Sequence, residues 1–173
     1  MNYNQQTPLR LAVIGTGHLG RIHARLAAGL SSARLVAVVD SCDKAREAVA
    51  TEIGARGVAD YRDLIGEIDA AIVATPTSSH SIVASELMQA GIHTLIEKPL
   101  APTRTECEHL VQLARQQNLI LQVGHVERFN PGFTSVQGKL TDPKYIDAQR
   151  TSGYTCRSTD VGVVMDLMIH DID

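Results

Sequence analysis

Leu9-Arg-Leu-Ala-Val-Ile14 runs directly into Gly15-Thr-Gly17-His-Leu-Gly20, and Asp40 stands twenty residues after the last glycine. The apolar run reads as a buried strand. Leu19, Ile22, Leu26 and Leu30 recur at helical spacing and read as the core-facing stripe of a helix. Between strand and helix the three glycines have separate tasks. Gly15 permits the tight turn, Gly17 lets a pyrophosphate approach the backbone, and Gly20 lets the helix press onto the strand. The helix N-terminus then offers free N–H groups and a partial positive charge to the phosphates. Asp40 closes the next apolar run, Leu35–Val39, where a carboxylate accepts the hydroxyls of an adenosine ribose. The order strand, glycine turn, helix, strand, acid predicts a dinucleotide site formed by Gly15, Thr16, Gly17, His18, Leu19, Gly20 and Asp40. The acid favours NAD, because a 2′-phosphate beside it is repelled. Lys44 and Arg46 stand close enough in sequence to leave NADP open.

The same alternation continues down the chain. Ala70–Ala74, Thr94–Ile96 and Ile120–Val123 are further apolar runs, suited to strands buried on both faces of a parallel sheet. Helical spacing joins Ala45, Val49 and Ile53, then Val83, Leu87 and Ala90, then Cys107, Leu110, Val111 and Ala114. Thr103 and Glu106 fit a capping box, and Gly54 and Gly91 fit helix C-caps. The fold class expected is α/β: a Rossmann doubly wound parallel sheet followed by the beginning of a second α/β domain. After Gly124 the pattern changes. Lys144–Thr151 reads as a longer, more polar strand, and Asp160–Asp173 as a loop entering a helix. The division expected is a dinucleotide-binding domain over 1–122 and an incomplete substrate and oligomerisation domain over 123–173. Because the last residues are apolar helical positions, the reading expects a truncated chain.

Composition removes other classes. With 173 residues, 44% of them apolar, the chain can bury a core. A net charge of −3 and only 3% aromatic residues give no footprint for nucleic acid. Three separate cysteines form no CxxC pair, which disfavours disulfides and structural zinc and fits a reducing cytoplasm. No apolar run reaches the roughly 18 residues of a membrane span, and the N-terminus lacks a signal core.

Several residues beyond the loop carry chemistry. Thr75 and Pro76 end a strand and border the expected cofactor. His80 begins the following helix, as a cofactor contact or as a cap. Lys98, at the C-terminal end of a parallel strand, is placed where open α/β sheets bind ligands, and could meet a reacting hydroxyl. Spacing alone reads it equally as a surface lysine. Asp166 and His170, four apart, share a helix face as a catalytic pair or a surface pair. His18 contributes through its backbone. His23, His93 and His109 have no comparable context and read as surface or partly buried residues. No metal is called for.

Ala74-Thr-Pro76 with His80, Glu97-Lys-Pro99, Gly124-His125 with Arg128-Phe-Asn130-Pro131, and Asp166-Leu-Met-Ile-His170-Asp171 together resemble the Gfo/Idh/MocA oxidoreductases. With the glycine loop these segments span nearly the whole chain. The resemblance implies hydride transfer between a sugar carbon and nicotinamide. It implies Lys98 and His170 at the reacting hydroxyl, with His170 as proton acceptor and Asp166 touching the sugar or orienting the site. It implies Glu97 on the nicotinamide ribose, and His125, Arg128 and Asn130 along the substrate cleft, although the residues alone read equally as a domain-junction turn with structural hydrogen bonds. It also implies homo-oligomers of the full-length form. The motifs look most like the branch acting on UDP-N-acetylglucosamine-type substrates. Two alternatives remain: a nucleotide-binding fragment without catalysis, and another small-molecule reductase on the same scaffold.

Overall fold

The computed structural model describes residues 7–149 and 162–173. The elements are β1 (Leu9–Ile14), α1 (His18–Ala28), β2 (Ala33–Val39), α2 (Asp43–Ile53), β3 (Arg56–Val58), β4 (Ala70–Val73), α3 (Thr77–Gln89), β5 (His93–Ile96), α4 (Arg104–Gln116), β6 (Leu121–Val123) and α5 (Pro131–Gln137). A π-helical turn, Val164–Met168, leads into α6 (Ile169–Ile172). The six strands form one sheet in the order β3-β2-β1-β4-β5-β6, every neighbouring pair parallel. This is the doubly wound Rossmann sheet expected from the sequence.

Alternation along β1 shows how the layers form. Ala12 and Ile14 face one way, into a cluster with Val83, Leu87 and Met88 of α3 and Leu110 of α4. Leu11 and Val13 face the other way, toward Ala24 and Ala27 of α1 and Val49 of α2. The strands are therefore covered on both faces, and their sequences are apolar throughout. Helix ends follow their caps. Gly54 closes α2 in the left-handed region at φ 67°. Thr103 and Glu106 form the reciprocal capping box of α4. Gly91, also at positive φ, lies one residue beyond the cap of α3, which is Ala90.

Three expectations are corrected. The large apolar residues of α1 do not pack on the sheet: Leu19, Ile22 and Leu26 are more than a third exposed and border the cleft, and Leu30 lies beyond the end of the helix. Gly20, Ala24 and Ala27 are the residues against the sheet. Small side chains bring this helix close to β1, and large ones would hold it off. β3 lay outside the strands expected, being three residues long with a glycine at its centre. Residues 144–149 form no strand; Tyr145 and Ile146 are exposed, and no described strand offers them a ladder. Arg150 and Thr151 of that expected strand, and Asp160 and Val161 of the expected loop, lie outside the described residues.

Candidate functional site

A cleft of about 1320 Å³ opens along the C-terminal ends of the strands. Its position follows from topology, since β1 and β4 are neighbours from which the chain winds in opposite directions. The floor is the glycine loop. Gly15 adopts φ +92°, and an added β-carbon would lie 2.5 Å from the Ala74 carbonyl oxygen. An added β-carbon on Gly20 would lie 1.8 Å from the Gly15 carbonyl oxygen. Gly17 differs, for a β-carbon there would meet no protein atom within 4 Å and would project into open space. It caps α1, whose first turn has no side-chain cap and no acidic residue. An uncapped helix start above an open glycine suits the diphosphate of a dinucleotide.

Asp40 forms the adenosine end. Its Oδ2 accepts hydrogen bonds of 2.8 Å from both the amide and the hydroxyl of Thr16, and its Oδ1 accepts from the Cys42 amide. Burial pushes this carboxyl up. The bonds from Thr16 and Cys42, with Arg46 nearby, more than offset that and hold it below the usual carboxylate range. Thr16 is buried, is not among the residues of the cleft wall, and gives both its amide and its hydroxyl to Asp40. Gly20 likewise is absent from the wall and serves packing. His18 and Leu19 do line the cleft.

Two arginines near this end are already engaged. Arg46 donates to the Asp40 carbonyl and to the Asp43 carboxylate, and its side chain is largely covered. Arg62 spans Glu86 with two bonds of 2.8 and 2.9 Å, reaches Asp60, and lies 4.8 Å above the Tyr61 ring. Tyr61 donates to Glu86; burial first and that bond second push its hydroxyl up to about 12, so it stays neutral. Asp60, Tyr61 and Arg62 border the cleft and follow β3, an element that the apolar pattern did not reveal.

The other half of the cleft is built from strand ends. Thr75 and Pro76 line it after β4. His80 is 1% exposed; its Nδ1 lies 2.9 Å from the Pro99 carbonyl oxygen and its Nε2 2.9 Å from that of Thr75. The imidazole thereby links the turns after β4 and β5. Glu97, at the end of β5, is buried, with Oε1 at 2.6 Å from His23 Nε2. His23 lines the cleft as well, which its sequence context did not indicate.

Lys98 Nζ donates to Asp166 twice, to the backbone carbonyl and to Oδ1, each at 2.8 Å. That pair joins residues 68 positions apart. It brings the π-helical turn over the cleft, so Asp166, Leu167 and His170 share a wall with Lys98. π-turns often occur where a helix serves a site.

His125, Arg128 and Asn130 are not on this wall, although Gly124 and Val126 are. Arg128 grips Asp173 with two bonds of 2.6 and 2.7 Å, and His125 Nδ1 is 3.6 Å from the same carboxylate. Asp173 is their common partner. Asn130 caps α5 by accepting from the Gly132 amide. The three residues lie off the described cleft wall and make the hydrogen bonds and ion pair of the turn after β6, the second of the two readings their sequence allowed. Among the described residues no group of acids, histidines and cysteines has the arrangement of a metal site. No described helix is long and apolar enough to cross a membrane.

Comparison with known proteins agrees with this geometry. Residues 9–125 match the oxidoreductase family with an NAD-binding Rossmann fold. UDP-N-acetylglucosamine 3-dehydrogenase of Acidithiobacillus ferrooxidans is 40% identical over 166 residues, covering 95% of this chain and 52% of that protein. Its solved structure superposes with a TM-score of 0.88 at 39% identity, over 96% of this chain and 55% of the other. Inositol 2-dehydrogenase 1 of Saccharopolyspora erythraea is 38% identical over 147 residues, 78% of this chain and 43% of its own length. The scyllo-inositol dehydrogenase of Lactobacillus casei, solved with NAD(H) and scyllo-inositol, superposes with a TM-score of 0.72 at 28% identity, over 79% of this chain and 43% of the other. The chain spans about half the length of the curated relatives it matches. With its cofactor fold matched from the first strand to the turn after the sixth, this chain belongs to the Gfo/Idh/MocA oxidoreductase family.

Proposed function

We propose that this chain is the cofactor-binding part of an NAD-dependent dehydrogenase that oxidises a ring hydroxyl of a sugar nucleotide of the UDP-N-acetylglucosamine type. The observation that carries the reading is the meeting of Lys98, Asp166 and His170 on the wall that also holds the Gly17 loop and Glu97. NAD, when held by the glycine loop and Asp40, would supply the acceptor for the hydride on the carbon bearing the hydroxyl. The chain's own residues would do the rest. Gly15, Gly17, His18 and Leu19 present the loop backbone to the diphosphate, and Asp40 accepts from the adenosine ribose. Glu97 would hold the nicotinamide ribose, with Thr75, Pro76 and His80 lining the same end of the cleft. Lys98 hydrogen-bonds the reacting hydroxyl, held in aim by Asp166, while His170 accepts the proton.

NAD is preferred over NADP on electrostatic grounds. A 2′-phosphate at Asp40 meets a fixed carboxylate, and the nearby guanidiniums of Arg46 and Arg62 are already paired. The 40% identical relative supports the sugar nucleotide. The inositol dehydrogenase relatives support a second reading, a free cyclic polyol, whose secondary ring alcohol requires the same chemistry. Residues 123–173 would begin a substrate and oligomer domain, and the enzyme would work in the cytoplasm beside its dinucleotide pool.

Calorimetric titration tests this. The reading expects NADH to bind more tightly than NADPH, and UDP-N-acetylglucosamine to bind the NADH-loaded chain where myo-inositol does not. The reverse order of the two sugars would replace the first reading by the second. Dinucleotide binding with neither sugar would leave a nucleotide-binding unit without a substrate site.

A further inference from the structure

We propose that His23 is a positioning residue that holds the Glu97 carboxylate at the nicotinamide end of the cleft. The proposal rests on the dinucleotide reading above. Glu97 is 6% exposed, and a carboxylate so buried requires donors. Two bonds are on hand: His23 Nε2 lies 2.6 Å from Oε1, and the Lys98 amide donates to Oε2 at 3.2 Å. The pair joins residues 74 positions apart, one from α1 and one from the end of β5. It therefore reaches across β4, which lies between β1 and β5 in the sheet.

Neither partner is free to drift. Gly20, Ala24 and Ala27 seat α1 closely on the strands and so fix the height of His23. Gly124 crowds Glu97 from the other side, for an added β-carbon there would lie 3.1 Å from Oε2. The carboxylate thus lies between the His23 imidazole and the glycine at 124, where a side chain would press on it. Its second oxygen holds the backbone amide of Lys98, from which that lysine's side chain leaves toward Asp166. One short bond from His23 therefore acts on two cleft groups, the Glu97 carboxylate directly and the base of Lys98 through it. His23 is itself on the cleft wall but mostly covered, with a side-chain exposure of 17%.

The test compares NADH with ADP, which reaches only the glycine loop and Asp40. His23→Phe keeps a planar ring without a donor, and His23→Gln keeps an N–H. His23→Phe should weaken NADH binding about tenfold and leave ADP binding unchanged, with His23→Gln restoring most of the loss. Unaltered NADH affinity in His23→Phe would overturn the role. So would equal losses for NADH and ADP, which would mark a merely structural residue. Ring-nitrogen NMR of His23 should shift on Glu97→Gln, and an unchanged signal would overturn the pairing. If the parent chain bound neither NADH nor ADP, the dinucleotide reading would fall and the role with it, while the NMR result would still report the pair.

Discussion

Asp40 could be found by position, because a carboxylate at the end of the second strand follows from the spacing of the glycine loop. Its support could not. Thr16 stands inside that loop, and nothing in the sequence says that its hydroxyl turns back to Asp40 instead of outward. His23 and Glu97 are the sharper case: the family resemblance marks Glu97, nothing in its own segment marks His23, and only the sheet order brings them to 2.6 Å. Arg46 and Arg62 were unreadable for a similar reason, since whether an arginine awaits a phosphate depends on which carboxylates fold beside it. The titration of Asp40 gives a direct check. Its lowered pKa means that the stability it contributes is present above its unfolded value of about 4 and is lost as pH falls through the folded value. Asp69, lowered first by its hydrogen bond to Arg10, behaves in the same direction. Denaturant midpoints should therefore fall on going from about pH 5 to about pH 3. Carbon NMR of the Asp40 carboxyl should show its titration moving upward in Thr16→Val. An unmoved titration would show that the hydroxyl does not matter.

At the scale of elements, strands were legible where they were long and apolar, and β1 begins and ends as the pattern indicated. β3 was lost because three residues around a glycine carry no periodicity. α1 was found by a stripe that does not meet the sheet, since its large apolar positions border the cleft. Helical spacing reports that a helix has two faces. It does not report which one meets the sheet when the contact is built from glycine and alanine. The loop before α1 makes a prediction of the same kind. Gly17→Ala should leave thermal unfolding nearly unchanged, because the added methyl meets no protein atom, yet weaken NADH binding by about tenfold or more. Gly20→Ala should instead lower the melting temperature sharply, because its methyl collides with backbone that has no room to move. Equal melting temperatures for the two variants would contradict the geometry.

On the scale of the whole molecule, every buried apolar residue among those described lies between Leu11 and Ala114. α5, the π-turn and α6 bury none of their residues. The sequence pattern changed after Gly124 because residues beyond it join no layer of the sheet among the described residues. The cleft needs both parts, yet the core needs only the first. A chain ending at Gln137 should keep cooperative unfolding and NADH affinity close to the parent's, measured by thermal melting and fluorescence titration. Loss of the cooperative transition would show that the later segment is part of the fold. The confinement of the core to early residues also has a consequence during synthesis. Chains emerge N-terminus first and fold by domain. The nucleotide cradle can be complete while Asp166 and His170 are still being added, and a dinucleotide that binds then stabilises the nascent sheet by mass action. The cofactor would thus act as a folding ligand before it has any chemistry to perform.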